Sequence, residues 1–503
     1  MTEKKKTGGF LGWVERVGNK IPHPFMLFLF LLIIVAIASA ILSAMGASGV
    51  NPSTGEPIVV NSILSGEGIT YALTNMVSNF TGFAPLGLIL TMTLGLGLAE
   101  DVGFMGAFMK STILGAPNWA VTFMVFFIGI CGNIASDAAI VIIPPLAGII
   151  FLYLGRHPLA GIAAGYAGTT AGFTANILPA GTDALLQGIT NEATAITNGP
   201  TIELTANWYF MFVSTFLISI LGTIVNNKII EPRLGKYHGT AELKGTAEVT
   251  PEEKSALRKS GIAALVYVLF IAILAFPANS FFRNPETGSL LVRSTLMSSL
   301  IPLLLGLFLV VGITYGKSIG VIKTSSDVPK LMTKAITGMS AFIVLAFIIG
   351  QFIGWFNWTN LGLLISVNLA DVISNAGFVG IPLFVSFILV CTTVNIFIGS
   401  GSAKWSLLAP IFVPMFNLLG YNPGWTQLLY RIGDSCTNVI SPLFNYLPII
   451  LAFMQEYDED AGIGTLISLM LPYSLIFLLV WTIFAMIWFF LGLPLGPGTS
   501  IFI

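Results

Sequence analysis

Long apolar runs separated by short polar stretches set the pattern of this 503-residue chain. A run must reach about 20 residues to cross a hydrocarbon core of about 30 Å. Nine runs do so, at about 25–46, 83–109, 159–180, 206–228, 258–276, 294–314, 335–354, 426–454 and 464–492. Two further stretches, about 118–154 and 380–416, are apolar but broken midway by small and polar residues. Two shorter amphipathic stretches, 69–81 and 358–376, are predicted to lie at an interface rather than span. The first run exceeds the apolar core of a signal peptide, about 7–15 residues, and is predicted to stay as the first helix.

Composition changes the picture only by naming the solvent. The chain is 55% hydrophobic and 9% charged, where a soluble domain carries about 25% charged residues. That leaves too little polar surface to coat a water-soluble globule, so the bilayer is the solvent. A net charge of −1 gives nucleic acid nothing to bind. Cys131, Cys391 and Cys436 lie in apolar surroundings, so no disulfide framework is implied. His23, His157 and His238 all fall outside the middles of the spans, which argues against a histidine metal site.

Basic residues orient the spans. Lys4, Lys5, Lys6, Arg16 and Lys20 place the N-terminus in the cytoplasm. No Lys or Arg occurs in 43–82 or in 158–227, so both stretches, including a polar loop around Thr190–Glu203, are placed outside. Lys110 and Arg156 flank the first interrupted segment, which therefore enters and leaves from the cytoplasm. The loop from Lys228 to Lys259 and the turn holding Lys317, Lys323, Lys330 and Lys334 are inside. Alternation then makes the second interrupted segment enter from outside. Arg283 and Arg293 fall in a loop placed outside, and beyond Lys404 only Arg431 remains, so the last third is oriented by span counting. The expected fold is an all-α polytopic membrane protein of about nine transmembrane helices plus two re-entrant hairpins. Its divisions are a cytoplasmic segment 1–24, an N-terminal half 25–230, a cytoplasmic loop 231–257 and a C-terminal half 258–503.

The two interrupted regions resemble each other in parallel order. Each opens with an asparagine (Asn133, Asn395) and a small, polar tip (Ala135-Ser136-Asp137; Gly399 to Ser402). Each continues into a proline-bearing helix (Pro144 and Pro145; Pro410 and Pro414) and turns at Gly-x-x-Pro (155–158; 420–423). Each then enters a helix broken by Gly, Thr, Asn and Pro (Thr174-Ala-Asn176 to Pro179; Thr437-Asn438 to Pro442). Backbone in hydrocarbon must bond internally, so irregular backbone at depth survives only where protein covers it or it lines a cavity. Broken helices in both halves of an inverted repeat expose carbonyls for cations and helix N-termini for anions, as in secondary transporters.

Polar residues at depth supply the candidate chemistry. Asp183 ends the segment NILPAGTDALL and either faces a cavity or cation, or reaches the outer interface; at the bilayer centre it would cost at least about 2.5–3.5 kcal/mol. Arg431 and Asp434 share a helix face at i,i+3 and either neutralise each other or serve substrate; an arginine fork suits a carboxylate. Asn133, Asn176, Asn395 and Asn438 offer neutral oxygens for Na⁺ or cap the broken helices. Trp405 offers a ring to an aromatic substrate or to Lys404, or anchors at the interface. Glu100 and Asp101 are read as interfacial.

These residues and their flanking motifs resemble the AbgT family of aminobenzoyl-glutamate transporters over nearly the whole chain. The resemblance is carried by WVERVGNKIPHP, GNIASDAAIVIIPP, NILPAGTDALL, GSGSAKWSLLAPIFVPM and YRIGDSCTNVISPLFNYLP, in that order. It implies a homodimer in the bacterial inner membrane that moves p-aminobenzoyl-glutamate-type aromatic acids, or exports sulfonamide antimetabolites, on a Na⁺ or H⁺ gradient with no cofactor. It also implies that Asp183, Ser402, Trp405, Arg431, Asp434 and Pro442 line the substrate path. Asn133, Ser136, Asp137, Asn176, Asn395 and Asn438 would lie near the ion. A Na⁺-coupled dicarboxylate transporter of similar architecture is the alternative. An intramembrane enzyme is disfavoured, because the chain lacks Gly-x-Gly-Asp, His-Glu-x-x-His and Gly-x-Ser-x-Gly.

Overall fold

The computed structural model describes residues 22–50, 55–135, 138–239, 249–441, 444 and 446–503. Ser136, Asp137 and Pro442 lie outside these residues, as does most of the 1–24 segment. Among the described residues the regular elements are helices, apart from one antiparallel ribbon in which Ser48–Val50 pairs with Pro57–Val59 and two isolated bridges, Tyr421 with Phe502 and Gly496 with Thr499. Seven single helices are long and apolar enough to cross a bilayer: Pro24–Ala44, Ala84–Asp101, Trp208–Leu234, Pro251–Ala275, Leu300–Ser318, Ser340–Trp358 and Ile463–Phe490. The rest of the apolar sequence is divided among shorter helices joined at breaks.

Several predicted rods are corrected by those breaks. The run 83–109 is two helices, because Gly103 at φ 86° redirects the chain after Asp101. The second of them, Phe104–Leu114, meets Asn118–Ile134 at a bend of 117°. The run 159–180 stops as a helix at Thr170, and a further helix, Gly181–Thr194, takes up residues predicted as an outer loop. Thr190 is fully buried there. The run 426–454 is likewise split into Pro423–Asn438 and Leu447–Gln455. Lys330 and Lys334, predicted in a turn, stand on the amphipathic helix Asp327–Gly338, which packs on Ala84–Asp101.

The parallel order of the two repeats survives in detail. The first hairpin is Val121–Cys131 followed by Ala138–Tyr153, and the second is Ile381–Phe397 followed by Gly401–Leu418. Both end in the same turn. Gly155 (φ 70°) and Gly420 (φ 87°) hold the left-handed conformation that closes a helix C-terminus at no Cβ penalty. The amides of Arg156 and Tyr421 then reach back to the carbonyls of Phe151 (2.8 Å) and Phe416 (2.9 Å). His157 and Asn422 cap the next helices by accepting from Leu159 (3.3 Å) and Gly424 (2.9 Å) amides. Pro158 and Pro423 occupy the first turn, where a missing N–H costs nothing. The two helices so started, Pro158–Thr170 and Pro423–Asn438, are buried along their whole length. In the first, Gly and Ala let the backbone approach the hairpin arm closely: a Cβ on Gly165 would stand 2.7 Å from Pro144 Cα.

Candidate functional site

Both hairpins and both broken helices meet at one cavity of about 600 Å³. The first repeat contributes Asn133 and Ile134 from its hairpin tip and Phe173, Thr174, Gly181 and Thr182 from the helix break. The second contributes Gly399 to Ser402 from its tip and Tyr430, Asp434 and Asn438 from the following helix. Helices Gly181–Thr194 and Gly401–Leu418 therefore both start at the cavity wall. Their first-turn amides and dipoles favour an anion there. Aromatic rings of Phe173, Phe342, Phe444 and Tyr446 line it as well. At the rim, Lys334 pairs with Asp101 at 2.7 Å, and that contact raises the lysine above its ordinary pKa.

Two buried ion pairs join the elements that form the wall, one of them through the cavity-lining Asp434. Arg431 Nη1 stands 2.6 Å from Asp183 Oδ1, and Lys404 Nζ stands 2.5 Å from Asp434 Oδ1. Arg431 and Asp434 therefore do not neutralise each other; each takes a partner from another element. Asp183 also accepts from the Ala180 amide at 2.6 Å, fixing the start of its helix. The Arg431–Asp183 pair crosses between repeats, as does the 2.8 Å contact between Thr174 and Ser435 hydroxyls. Paired charges of this kind are tolerable in a low-dielectric interior only while both partners remain.

Lys404 belongs to a tight polar cluster. Its ammonium donates to Asn395 Oδ1 as well as pairing with Asp434. The Asn395 amide nitrogen donates to Asp434 O (2.5 Å), Thr437 Oγ1 (2.8 Å) and Asn438 Oδ1 (2.9 Å), which turns its oxygen toward the lysine. The Tyr430 hydroxyl lies 2.6 Å from Gly401 O and 3.1 Å from Asp434 Oδ1. The first repeat differs. Asn133 Nδ2 donates to Ile130 O at 3.1 Å, while Asn133 Oδ1 and Asn176 Oδ1 are buried with no hydrogen-bond partner among the described residues.

The sequence-predicted residues thus divide by position. Ser402, Asp434, Asn133 and Asn438 line the cavity, and Asn395 lies within the lysine cluster. Asp183, Arg431 and Trp405 sit behind the wall. Trp405 is fully buried, stacked on Tyr430 at 4.5 Å between centroids, and donates to Thr190 Oγ1 at 2.9 Å. Tyr430 and the aromatic wall are features the sequence reading passed over, while Lys404 and Thr174 entered it only as a neighbour of Trp405 and as part of the helix break. A lysine amid small residues beside a tryptophan reads as an interfacial charge, and no local pattern shows that it is fully buried. Glu100 and Asp101, read as interfacial, line the cavity rim.

Comparison with known proteins agrees with this architecture. The model of the AbgT transporter family matches residues 9–503. The chain is 44% identical to the p-aminobenzoyl-glutamate transport protein of Escherichia coli K12 over 494 residues, 98% of this chain and 97% of that one. Among solved structures it resembles the YdaH transporter of Alcanivorax borkumensis, described as having an unusual topology, with TM-score 0.91 and 37% identity over 95% of this chain and all of that one. It also resembles MtrF of Neisseria gonorrhoeae, described as illuminating a class of antimetabolite efflux pumps, with TM-score 0.91 and 41% identity over 98% of this chain and all of that one. A whole-length match, a shared fold and helix breaks meeting at one cavity identify this chain as a member of the AbgT family, a family of membrane transporters rather than enzymes.

Proposed function

We propose that this chain is a cation-coupled secondary transporter of p-aminobenzoyl-glutamate-type aromatic acids and of sulfonamides that mimic them. The observation that carries the reading is the cavity itself, where two helix starts face a wall of aromatic rings. Carboxylate or sulfonyl oxygens would meet the helix N-termini at Gly181 and Gly401 and the Ser402 hydroxyl, and the ring would lie against Phe173, Phe342 and Phe444. Arg431, Asp183 and Trp405 would hold the breaks in place and reach substrate only if the wall moves. Orphan oxygens of Asn133 and Asn176 support a Na⁺ position in the first repeat. The names of relatives agree with the substrate class: one is a p-aminobenzoyl-glutamate transport protein and another belongs among antimetabolite efflux pumps.

The protein would work as a homodimer in the bacterial inner membrane with its N-terminus in the cytoplasm. In support, Pro251–Ala275 is the least covered of the seven candidate spans among the described residues, with Leu265, Leu269, Phe270 and Ile273 exposed to lipid or a second copy. A dicarboxylate transporter would use the same helix starts but has no need of the aromatic wall. The test is counterflow of labelled p-aminobenzoyl-glutamate in proteoliposomes, with Na⁺ and pH gradients imposed separately. Saturable uptake driven by one gradient and competed by sulfonamide but not succinate is expected. Competition by succinate alone would favour the dicarboxylate reading.

A further inference from the structure

Lys404 has no counterpart in the first repeat, and that asymmetry is informative. It stands nineteen residues before Pro423, and the residue nineteen before Pro158 is Ala139. Asp434 stands eleven after Pro423, where the first repeat places Thr169. The second repeat thus carries a lysine–carboxylate pair where the first carries two neutral, fully buried side chains. The tip asparagines, Asn395 twenty-eight residues before Pro423 and Asn133 twenty-five before Pro158, differ as well. Asn395 Oδ1 accepts from the Lys404 ammonium, and Asn133 Oδ1 meets no donor among the described residues.

We propose that the Lys404 ammonium is a tethered cation fixed in the ion position of the second repeat, so that only the first repeat takes a mobile cation. The inference rests on the cation-coupled reading above. An ammonium and a Na⁺ ion are both monovalent and both seek hard oxygens. Around Lys404 Nζ these are Asp434 Oδ1 and Asn395 Oδ1, with the Tyr430 hydroxyl against the same carboxylate oxygen. The Asn395 amide cannot turn its oxygen away without losing the hydrogen bonds that its two N–H groups share among Asp434 O, Thr437 Oγ1 and Asn438 Oδ1. Cys391, Cys436 and Arg431 are the other titratable or charged groups near the pair, and Arg431 is held by Asp183. The lysine therefore satisfies Asp434 throughout, and one repeat is left to sense the ion gradient.

The test is equilibrium binding of radioactive Na⁺ to the purified full chain in lipid nanodiscs, comparing wild type, Lys404→Ala, Lys404→Gln and Asn133→Ala. Wild type is expected to bind about one Na⁺ per chain, both lysine variants about twice that, and Asn133→Ala at least about tenfold more weakly than wild type. If Lys404→Ala folds only with an ion in place, Na⁺ but not choline will raise its melting temperature, because an ion bound by the folded state alone stabilises it. Either lysine variant, once folded, binding Na⁺ with wild-type number and affinity would overturn the proposal. Wild type binding none while Lys404→Ala binds one would sustain the tethered cation and remove the Asn133 site. Wild type binding one, with no gain in either lysine variant, would do the reverse.

Discussion

Breaking the buried pair between Arg431 and Asp183 should cost more than removing it entirely. The two groups meet at 2.6 Å with side-chain exposures of 2% and 12%. Arg431→Met strands a carboxylate whose remaining anchor is the Ala180 amide, and stranding a buried charge costs about 3–5 kcal/mol. Asp183→Asn strands a guanidinium whose other contacts, to Thr174 O at 3.4 Å and Gln427 Oε1 at 3.5 Å, are long. Its loss should be of the same size. The double variant strands neither charge, so its loss should fall well below the sum of the singles. A coupling energy of at least about 1.5 kcal/mol is expected, the low end for close charge pairs, or about tenfold in the unfolding constant. Equilibrium unfolding in bicelles, read by steric trapping, measures all four corners of the cycle. Single losses that add within about 0.5 kcal/mol would refute the reasoning.

Other outcomes follow from the same geometry. Gly155→Ala and Gly420→Ala meet no atoms within 4 Å at the new Cβ, so each should lose only the left-handed backbone cost, about 1–2 kcal/mol, with Asn losing less in the same unfolding assay. The Asp101–Lys334 pair is largely exposed on the lysine side, so Lys334→Ala should change stability by under about 1 kcal/mol. A reducible thiol cross-linker joining cysteines placed at 101 and 334 should nevertheless stop flux, and reductant should restore it, if the rim must open. Phe444→Ala removes a ring from the cavity wall and should raise KM for an aromatic substrate about tenfold, in line with about 1.4 kcal/mol for a lost aromatic contact. Unchanged KM would remove Phe444 from the binding surface.

The breaks were legible because their chemistry is local. Gly-x-His-Pro and Gly-x-Asn-Pro spell a left-handed turn, a cap and a first-turn proline, and the structure uses each residue in that role. The asparagines at the tips were visible for the same reason. Misread were positions whose fate depends on residues far along the chain. Gly181–Thr194 contains TNEAT, which looks like loop until Thr190 is seen accepting from Trp405 and Gln427, more than two hundred residues away. Arg431 sits three residues from Asp434, so sequence suggests that pair; packing instead delivers Asp183 to the arginine and Lys404 to the aspartate. Lys404 itself could not be placed, since a lysine in GSGSAKW looks solvated until the fold buries it.

Convergence of both hairpin tips on one substrate cavity is tested most directly by substrate protection. Cys131, Cys391 and Cys436 are replaced, and single cysteines are introduced as Ile134→Cys and Ser402→Cys, one in each tip. Alkylation rates are then measured with and without p-aminobenzoyl-glutamate. Slower labelling of both cysteines by the same substrate concentration is predicted. Protection of one tip with the other labelled at its full rate would contradict a shared site.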